Sequence, residues 1–237
     1  LLKVLNDFVR WVEQLPYASL DGIWLYRLEV LGIYIFLLLF LYYLKTRRFR
    51  NLVVCLSCLL CLGIYHTVMR WYDRPCPSLV FYNVRGCPAI HCIAEDGTSW
   101  LNYADTLSDK RRLQAVAANY WRRHQLLPPI EVTADCQNVD FCRHQQIVFY
   151  HGCRICMVTD NRWRNKYAAS PLFINYMYLC KGYNGRLEEL TGLFSPSCIL
   201  LDASLSDDRK QFFREECKRL HLHFITLSEE GSVRFLL

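Results

Sequence analysis

Apolar positions crowd into two early runs, IWLYRLEVLGIYIFLLLFLYYL and LVVCLSCLLCLGIYHTVM, which predict helices over about 23–44 and 51–69. At 1.5 Å per residue, about 22 and 18 residues span roughly 33 and 27 Å, enough to cross a bilayer core. The step between them, Lys45-Thr46-Arg47-Arg48-Phe49-Arg50, carries four cations. Cations at that place mark a cytoplasmic turn, so a transmembrane hairpin is expected with both ends outside the cytoplasm. The competing reading is a pair of buried core helices in a soluble protein, which the basic turn argues against.

Residues 1–15 (LLKVLNDFVRWVEQL) set an i, i+3, i+4 apolar stripe against Lys3, Asn6, Asp7, Arg10, Glu13 and Gln14. The segment is too polar to span. It predicts a helix in the outer membrane–water interface, or one packed on protein, ended by Pro16. Inside the hairpin, Arg27, Glu29 and His66 are ionisable groups near the outer boundary. Charge within a membrane is costly, so these residues either face the helix bundle or a pore, or snorkel to the headgroups. Arg27 and Glu29 are two apart and fall on different helix faces.

After Trp71-Tyr72-Asp73-Arg74-Pro75, an interface anchor and linker, the period changes. Strands are expected at Ser78–Val84, Ala89–Ile93 and Ser99–Leu101, then a helix from Ser108 stopped by Pro128-Pro129. A hairpin follows at Gln146–His151 and Arg154–Asp160, then a strand at Leu172–Leu179 and a helix at Leu187–Phe194. The tail reads as strand Cys198–Asp202, helix Ser206–Leu220, and strands His223–Thr226 and Val233–Leu236. The chain thus divides at about residue 74, with 1–74 membrane-like and 75–237 an α/β layered domain.

Charge and cysteine usage sharpen this division. The net charge of +6 comes from nine Lys/Arg against five Asp/Glu in 1–74, and nineteen against seventeen in 75–237. The second part is nearly neutral, so its net charge alone predicts no general attraction for nucleic acid. Arg111, Arg112, Arg122 and Arg123 on the helix from Ser108 could contact phosphates or simply form a solvated face. Ten of the thirteen cysteines lie in 75–237, where an exocytoplasmic location permits disulfides, but no spacing fixes a pairing. Cys153-Arg-Ile-Cys156 lacks the second ligand pair of a zinc site, and on a strand its cysteines point to opposite faces. No metal or other cofactor is expected.

Several stretches resemble the ComEC-type competence proteins. Phe81-Tyr82-Asn83-Val84-Arg85-Gly86-Cys87-Pro88-Ala89-Ile90 is similar to the LDVGQGDAI strand-turn-strand that opens their exocytoplasmic domain. Gly152 through Thr159-Asp160 resembles the family's GG…LLTGD hairpin. Leu179-Cys180-Lys181-Gly182, Leu187, Leu190, Ser195-Pro196 and CILLDASL resemble the KVPHHGS…FL…P…VIS run. Glu229-Glu230-Gly231-Ser232-Val233 falls at the terminal DEDGAI hairpin, and WVEQLPYASLDGI is similar to a W…LP segment near the end of the transport domain. The order of these motifs covers most of the chain.

The resemblance implies a degenerate metallo-β-lactamase-like (αββα-type) outer domain over 75–237, behind the end of a competence transmembrane domain. Hydrolytic members of that fold hold metals with an HxHxDH cluster, further His and the TGD aspartate. This chain has no HxHxDH, reads Cys180-Lys181-Gly182 at the HHG position, and has Cys87-Pro88 where the opening turn has its acid. Asn83, Arg85, Gly86, Asp160, Cys180, Lys181 and Gly182 are the degenerate motif positions, and only Asp160 is a ligand remnant. A hydrolytic site needs about three protein ligands plus an open position.

The resemblance therefore implies part of an inner-membrane channel for single-stranded DNA, with a noncatalytic outer domain on the periplasmic side. Arg111, Arg112, Arg122, Arg123, Lys181 and Arg186 are the candidate DNA contacts. The expected partners are single-stranded DNA, the lipid bilayer, the remaining transport helices, and other competence proteins or a second copy. The alternatives are a metal-dependent nuclease or hydrolase with a site around Asp160, Cys180 and Lys181, and a membrane-anchored interaction domain unrelated to DNA.

Overall fold

A computed structural model describes residues 24–103, 107–138 and 140–237. The chain forms two compact units, Leu1–Asp73 and Arg74–Leu237. The expected interfacial helix at 1–15 lies outside the described residues.

In the first unit, α1 (Arg27–Thr46) and α2 (Phe49–Tyr72) are 20 and 24 residues long, about 30 and 36 Å. The turn between them is shorter than the expected six residues, because both helices continue into it until Arg47 takes a left-handed conformation (φ 49°). Their large apolar side chains point outward: Leu38 is 68% exposed and Leu60 66%. The reading as buried core helices therefore fails for the described residues. Such a surface is one that lipid or further apolar helices cover. The buried Glu29 faces α2, its carboxylate 2.7 Å from the His66 Nδ1 and accepting from the Tyr26 amide at 2.8 Å. The Tyr26 hydroxyl donates to Asp73 at 2.7 Å.

The second unit stacks helix, sheet, sheet and helix. One sheet has the order β12-β1-β2-β3-β4 and the other β11-β10-β9-β8-β7-β6-β5. The first contains β1 (Ser78–Tyr82), β2 (Ala89–Ile93), β3 (Ser99–Tyr103), β4 (Ile130–Glu131) and β12 (Val233–Leu236). The second contains β5 (Cys136–Gln137), β6 (Phe141–His144), β7 (Ile147–Tyr150), β8 (Cys153–Val158), β9 (Leu172–Leu179), β10 (Phe194–Leu201) and β11 (Phe224–Thr226). Its strands β8 to β11 run parallel, which buries both of their faces and explains continuous runs such as CILL.

Alternation along β1 divides its side chains between two layers. Leu79 and Phe81 enter the core between the sheets, beside Ile90, Trp100, Ile155 and Tyr178. Val80 and Tyr82 face α3 (Leu107–Arg123), which returns Leu113 and Ala117. The far face of the second sheet is covered by α4 (Leu187–Thr191) and α5 (Asp207–Arg219) through Leu187, Leu190, Phe213 and Cys217. A short α6 (Leu227–Glu230) precedes β12. Fully burying a side chain such as Phe81 contributes roughly 2–3 kcal/mol.

Three expectations are corrected here. The expected helix Leu187–Phe194 ends at Thr191, and the following strand begins at Phe194 rather than Cys198. Phe194 to Pro196 pair in parallel with Leu172 to Ile174, a long-range match that overrides the weak strand propensity of Ser-Pro-Ser. Strands β4, β5 and β6 are additional, two of them only two residues long. The Cys153 and Cys156 side chains pack into different cores on opposite faces of β8, as their spacing predicts.

Candidate functional site

The parallel strands β8, β9, β10 and β11 end at one edge of their sheet, where open α/β sheets place their ligands. The segments that leave these ends are Thr159-Asp160, Cys180-Lys181-Gly182, Asp202-Ala203-Ser204 and Leu227-Ser228. A cleft of about 770 Å³ opens there. Lys181, Gly182, Asn184, Ser204 and Ser228 line one part, Asn83, Arg85 and Gly86 from the loop after β1 another, and Ser206, Asp207, Arg209 and Lys210 at the start of α5 a third. Five of the seven degenerate motif positions thus meet in one cleft: Asn83, Arg85, Gly86, Lys181 and Gly182.

Gly182 is required by geometry. Its φ is +117°, and a Cβ there would run into the Thr159 carbonyl oxygen. Only glycine lets the loop after β9 close onto the loop after β8. Asn161 completes that junction by accepting from the Asn184 amide at 2.8 Å. The same loop is held from below by Gln146, which donates to Thr159 Oγ1 at 2.8 Å and accepts from Trp163 at 2.6 Å.

Asp202, which sequence reasoning missed, lies fully buried below the cleft. The Tyr178 hydroxyl donates to one carboxylate oxygen and the Ser204 amide to the other at 2.7 Å. Ser204 in turn accepts from the Lys181 amide at 3.1 Å. Burial raises the Asp202 pKa above the usual carboxylate range, although the Ser204 and Tyr178 hydrogen bonds oppose it. The signal was present in CILLD: a carboxylate ending a buried apolar strand is costly unless hydrogen-bonded.

The two other motif positions do not serve as ligands. Cys180 turns into the core between the sheets, and burial, with the Asp202 charge, pushes its thiol well above its ordinary pKa. Asp160 is gripped by Arg162, whose Nε lies 3.0 Å from both carboxylate oxygens and whose Nη2 lies 2.8 Å from Oδ2. Partial burial raises the Asp160 pKa, but the Arg162 hydrogen bonds and charge more than offset this and hold it below the carboxylate norm. Among the described residues no three His, Cys, Asp or Glu side chains gather as a metal-binding group. A lysine, a neutralised aspartate and an inward thiol do not fit the metals of the hydrolytic fold.

The cleft wall is instead basic and rich in hydrogen-bond donors. Arg85 and Lys181 are exposed, and Arg112 extends a guanidinium nitrogen to 3.9 Å from the Cβ position of Gly86. Among the described residues no carboxylate pairs with these three. Arg209 and Lys210 have structural engagements. The former donates to the Tyr183 and Gly185 carbonyls at 3.3 and 3.0 Å and stacks on Phe213, and the latter meets Asp207 at 3.2 Å.

Of the six candidate DNA contacts, only Lys181 lines the cleft, and Arg112 reaches its rim beside Gly86. Arg111 and Arg186 are exposed outside its lining. Arg122 and Arg123 lie about 15 Å further along α3, toward the opposite edge of the first sheet, where the Leu127 amide donates to the Gly97 carbonyl at 3.0 Å. Glu29 and His66 pair with each other inside the first unit, and Arg27 is exposed there.

Neither curated proteins nor solved structures return a match to the chain. A family model described as the ComEC C-terminal domain matches residues 79–237, and the chain therefore belongs to the ComEC family, which implies a role in DNA uptake during competence.

Proposed function

We propose that the chain is part of the inner-membrane channel for single-stranded DNA, and that Arg74–Leu237 is its noncatalytic module on the exocytoplasmic side. In this reading the hairpin spans the membrane with both ends outside, and the second unit has a degenerate metallo-β-lactamase-like fold. The helix–sheet–sheet–helix layering supports that fold. One observation carries the function: the cleft at the strand ends presents Arg85 and Lys181, with Arg112 beside Gly86 at its rim, where a hydrolase needs acidic and imidazole ligands. Cations of this kind engage phosphates without reading bases.

The test is binding of a labelled single-stranded oligonucleotide to the full chain over a range of salt concentrations. Each phosphate contact removed lowers the log–log salt slope by roughly 0.7 on a single strand. Lys181→Ala and Arg85→Ala are each expected to lower it by about that amount. Binding that ignores salt and survives both changes overturns the cleft as the DNA contact. Cleavage of the oligonucleotide by protein holding stoichiometric zinc or manganese overturns the noncatalytic reading.

A further inference from the structure

The segment from Lys110 to Ile130 contains five cations and no carboxylate. The rest of Arg74–Leu237 holds fifteen Lys/Arg against seventeen Asp/Glu, so the positive charge is concentrated on α3 and its exit. At the exit, Arg122 and Arg123 are exposed, and two large apolar side chains that follow within eight residues, Leu127 and Ile130, are each 52% exposed. Arginines next to outward aliphatic groups form the amphipathic combination of a membrane-surface contact.

The place of this patch on the second unit points the same way. The Leu127 amide donates to Gly97, and Gln125 and Pro75 both lie against the Gly97 turn, 3.5 and 3.7 Å from its Cβ position. Pro75 is where the chain enters the unit, and it follows Tyr72, the last residue of α2, by three residues. Three residues of chain reach at most about 10 Å. Trp71 and Tyr72, 65% and 81% exposed, are the aromatic pair that marks a headgroup boundary. Within the second unit, the start of the chain at Pro75 and the exit of α3 at Gln125 and Leu127 thus meet at the Gly97 turn, a few residues of sequence after Tyr72.

We infer that Arg122, Arg123, Leu127 and Ile130 form a docking surface for anionic phospholipid headgroups, separate from the basic cleft. The arginines meet the headgroup phosphates, and the two aliphatic side chains enter the boundary below them. Two of the arginines first read as DNA contacts are thereby assigned to the membrane. The inference goes beyond the DNA-binding proposal and does not depend on it, but it does require the hairpin to span a membrane.

The test is hydrogen exchange on the full chain in nanodiscs of phosphatidylcholine alone and of phosphatidylcholine with phosphatidylglycerol. Amides of 122–130 are expected to exchange more slowly in the phosphatidylglycerol discs. A basic residue near an anionic surface is worth about fivefold in the docking equilibrium, so Arg122→Gln with Arg123→Gln should weaken docking about thirtyfold and abolish the difference. Both positions are exposed, and unchanged exchange in β8, β9 and β10 checks that the variant remains folded. Equal exchange in the two discs overturns the inference. It is also overturned if a single-stranded oligonucleotide protects 122–130 in phosphatidylcholine discs as well as phosphatidylglycerol does, which assigns the patch to DNA. Failure of the chain to enter either disc refutes the spanning hairpin, and the inference with it.

Discussion

Replacing Gly182 with alanine isolates the contact that closes the cleft. Two costs add. A residue with a side chain held at φ +117° loses about 1–3 kcal/mol relative to glycine. The new Cβ also meets the Thr159 carbonyl oxygen at a separation real contacts do not reach, and lies 3.2 Å from the Thr159 carbonyl carbon. Both neighbours are backbone, so relief requires the loops after β8 and β9 to part. Together the two costs make about 3–5 kcal/mol, at the upper end of single substitutions. For a unit of this size about 2–4 °C is lost per kcal/mol, so the melting midpoint should fall by about 6–20 °C. Gly152→Ala is the control, with φ +78° and nothing within 4 Å of the new Cβ. It should cost only the backbone part, about 1–2 kcal/mol. The assay is thermal unfolding of the full chain followed by near-ultraviolet circular dichroism, which reports aromatic packing in the sandwich. If Gly182→Ala is no more harmful than Gly152→Ala, the close approach does not hold the cleft together, and the argument from Gly182 collapses.

His91 gives a pH prediction. Burial between β2 and α3 lowers its pKa to about 3, and its Nδ1 lies 2.9 Å from the Tyr82 hydroxyl, which accepts from Trp121 at 2.9 Å. The unfolded chain binds the extra proton near pH 6.5, so stability is full above that pH. It falls as the pH drops toward 3, by at most about 1.4 kcal/mol per unit. His91→Gln should flatten the dependence, and an unchanged slope would show that His91 is not its source. Cysteine alkylation of the native chain should label the exposed Cys76 and spare Cys156 and Cys180 until denaturant is added, since burial pushes the Cys156 thiol up to about 12 and Cys180 further in the same direction. Native labelling of Cys180 would place its sulfur in the cleft and return it to the list of reactive groups.

Where a pattern was local, the sequence was a good guide. Ala89–Ile93, Leu172–Leu179 and Val233–Leu236 form strands at the expected bounds, because each apolar run ends at its own turn residues. Ser206 caps α5, as hydroxyl residues before an amphipathic run do. The failures are those of distance. Phe194-Ser-Pro-Ser becomes strand only because Leu172–Ile174 lies alongside, and β4 and β5 are too short to carry a period. The cleft was legible in the same uneven way. Motif order named Arg85, Lys181 and Gly182, while Asp202 and Ser204 were missed because their role rests on Tyr178 and Lys181, more than twenty positions upstream. The arginines of α3 were visible as a set, but only the fold separates Arg112 at the cleft from Arg122 and Arg123 at the opposite edge.

On the proposed reading, that separation lets a nearly neutral unit bind a polyanion. Twenty cations against seventeen acids give little net attraction, so any binding must come from local placement. In a metal-dependent hydrolase, ions tie the strand-end loops together and balance their carboxylates. Here Arg162 neutralises Asp160, Asn161 ties the loop after β8 to Asn184, and buried Asp202 spans from Tyr178 to Ser204. These bonds tie the loops at the strand ends to one another and to the strands below them. Asp160 and Asp202 are engaged beside and below the cleft, Asp207 in its wall pairs with Lys210, and Arg85 and Lys181 face it with Arg112 at the rim. A strand of phosphates would therefore meet the positive part of the unit first, with the remaining acids turned into hydrogen bonds or spread over other surfaces. On this argument, restoring a charge opposite Lys181 should be more damaging to DNA binding than adding the same charge elsewhere. Ser204→Asp would place a carboxylate beside the Lys181 amide, whereas Ser197→Asp, an exposed position on β10, changes the net charge equally. Equal losses of oligonucleotide affinity from the two would mean that net charge, and not the cleft, governs binding.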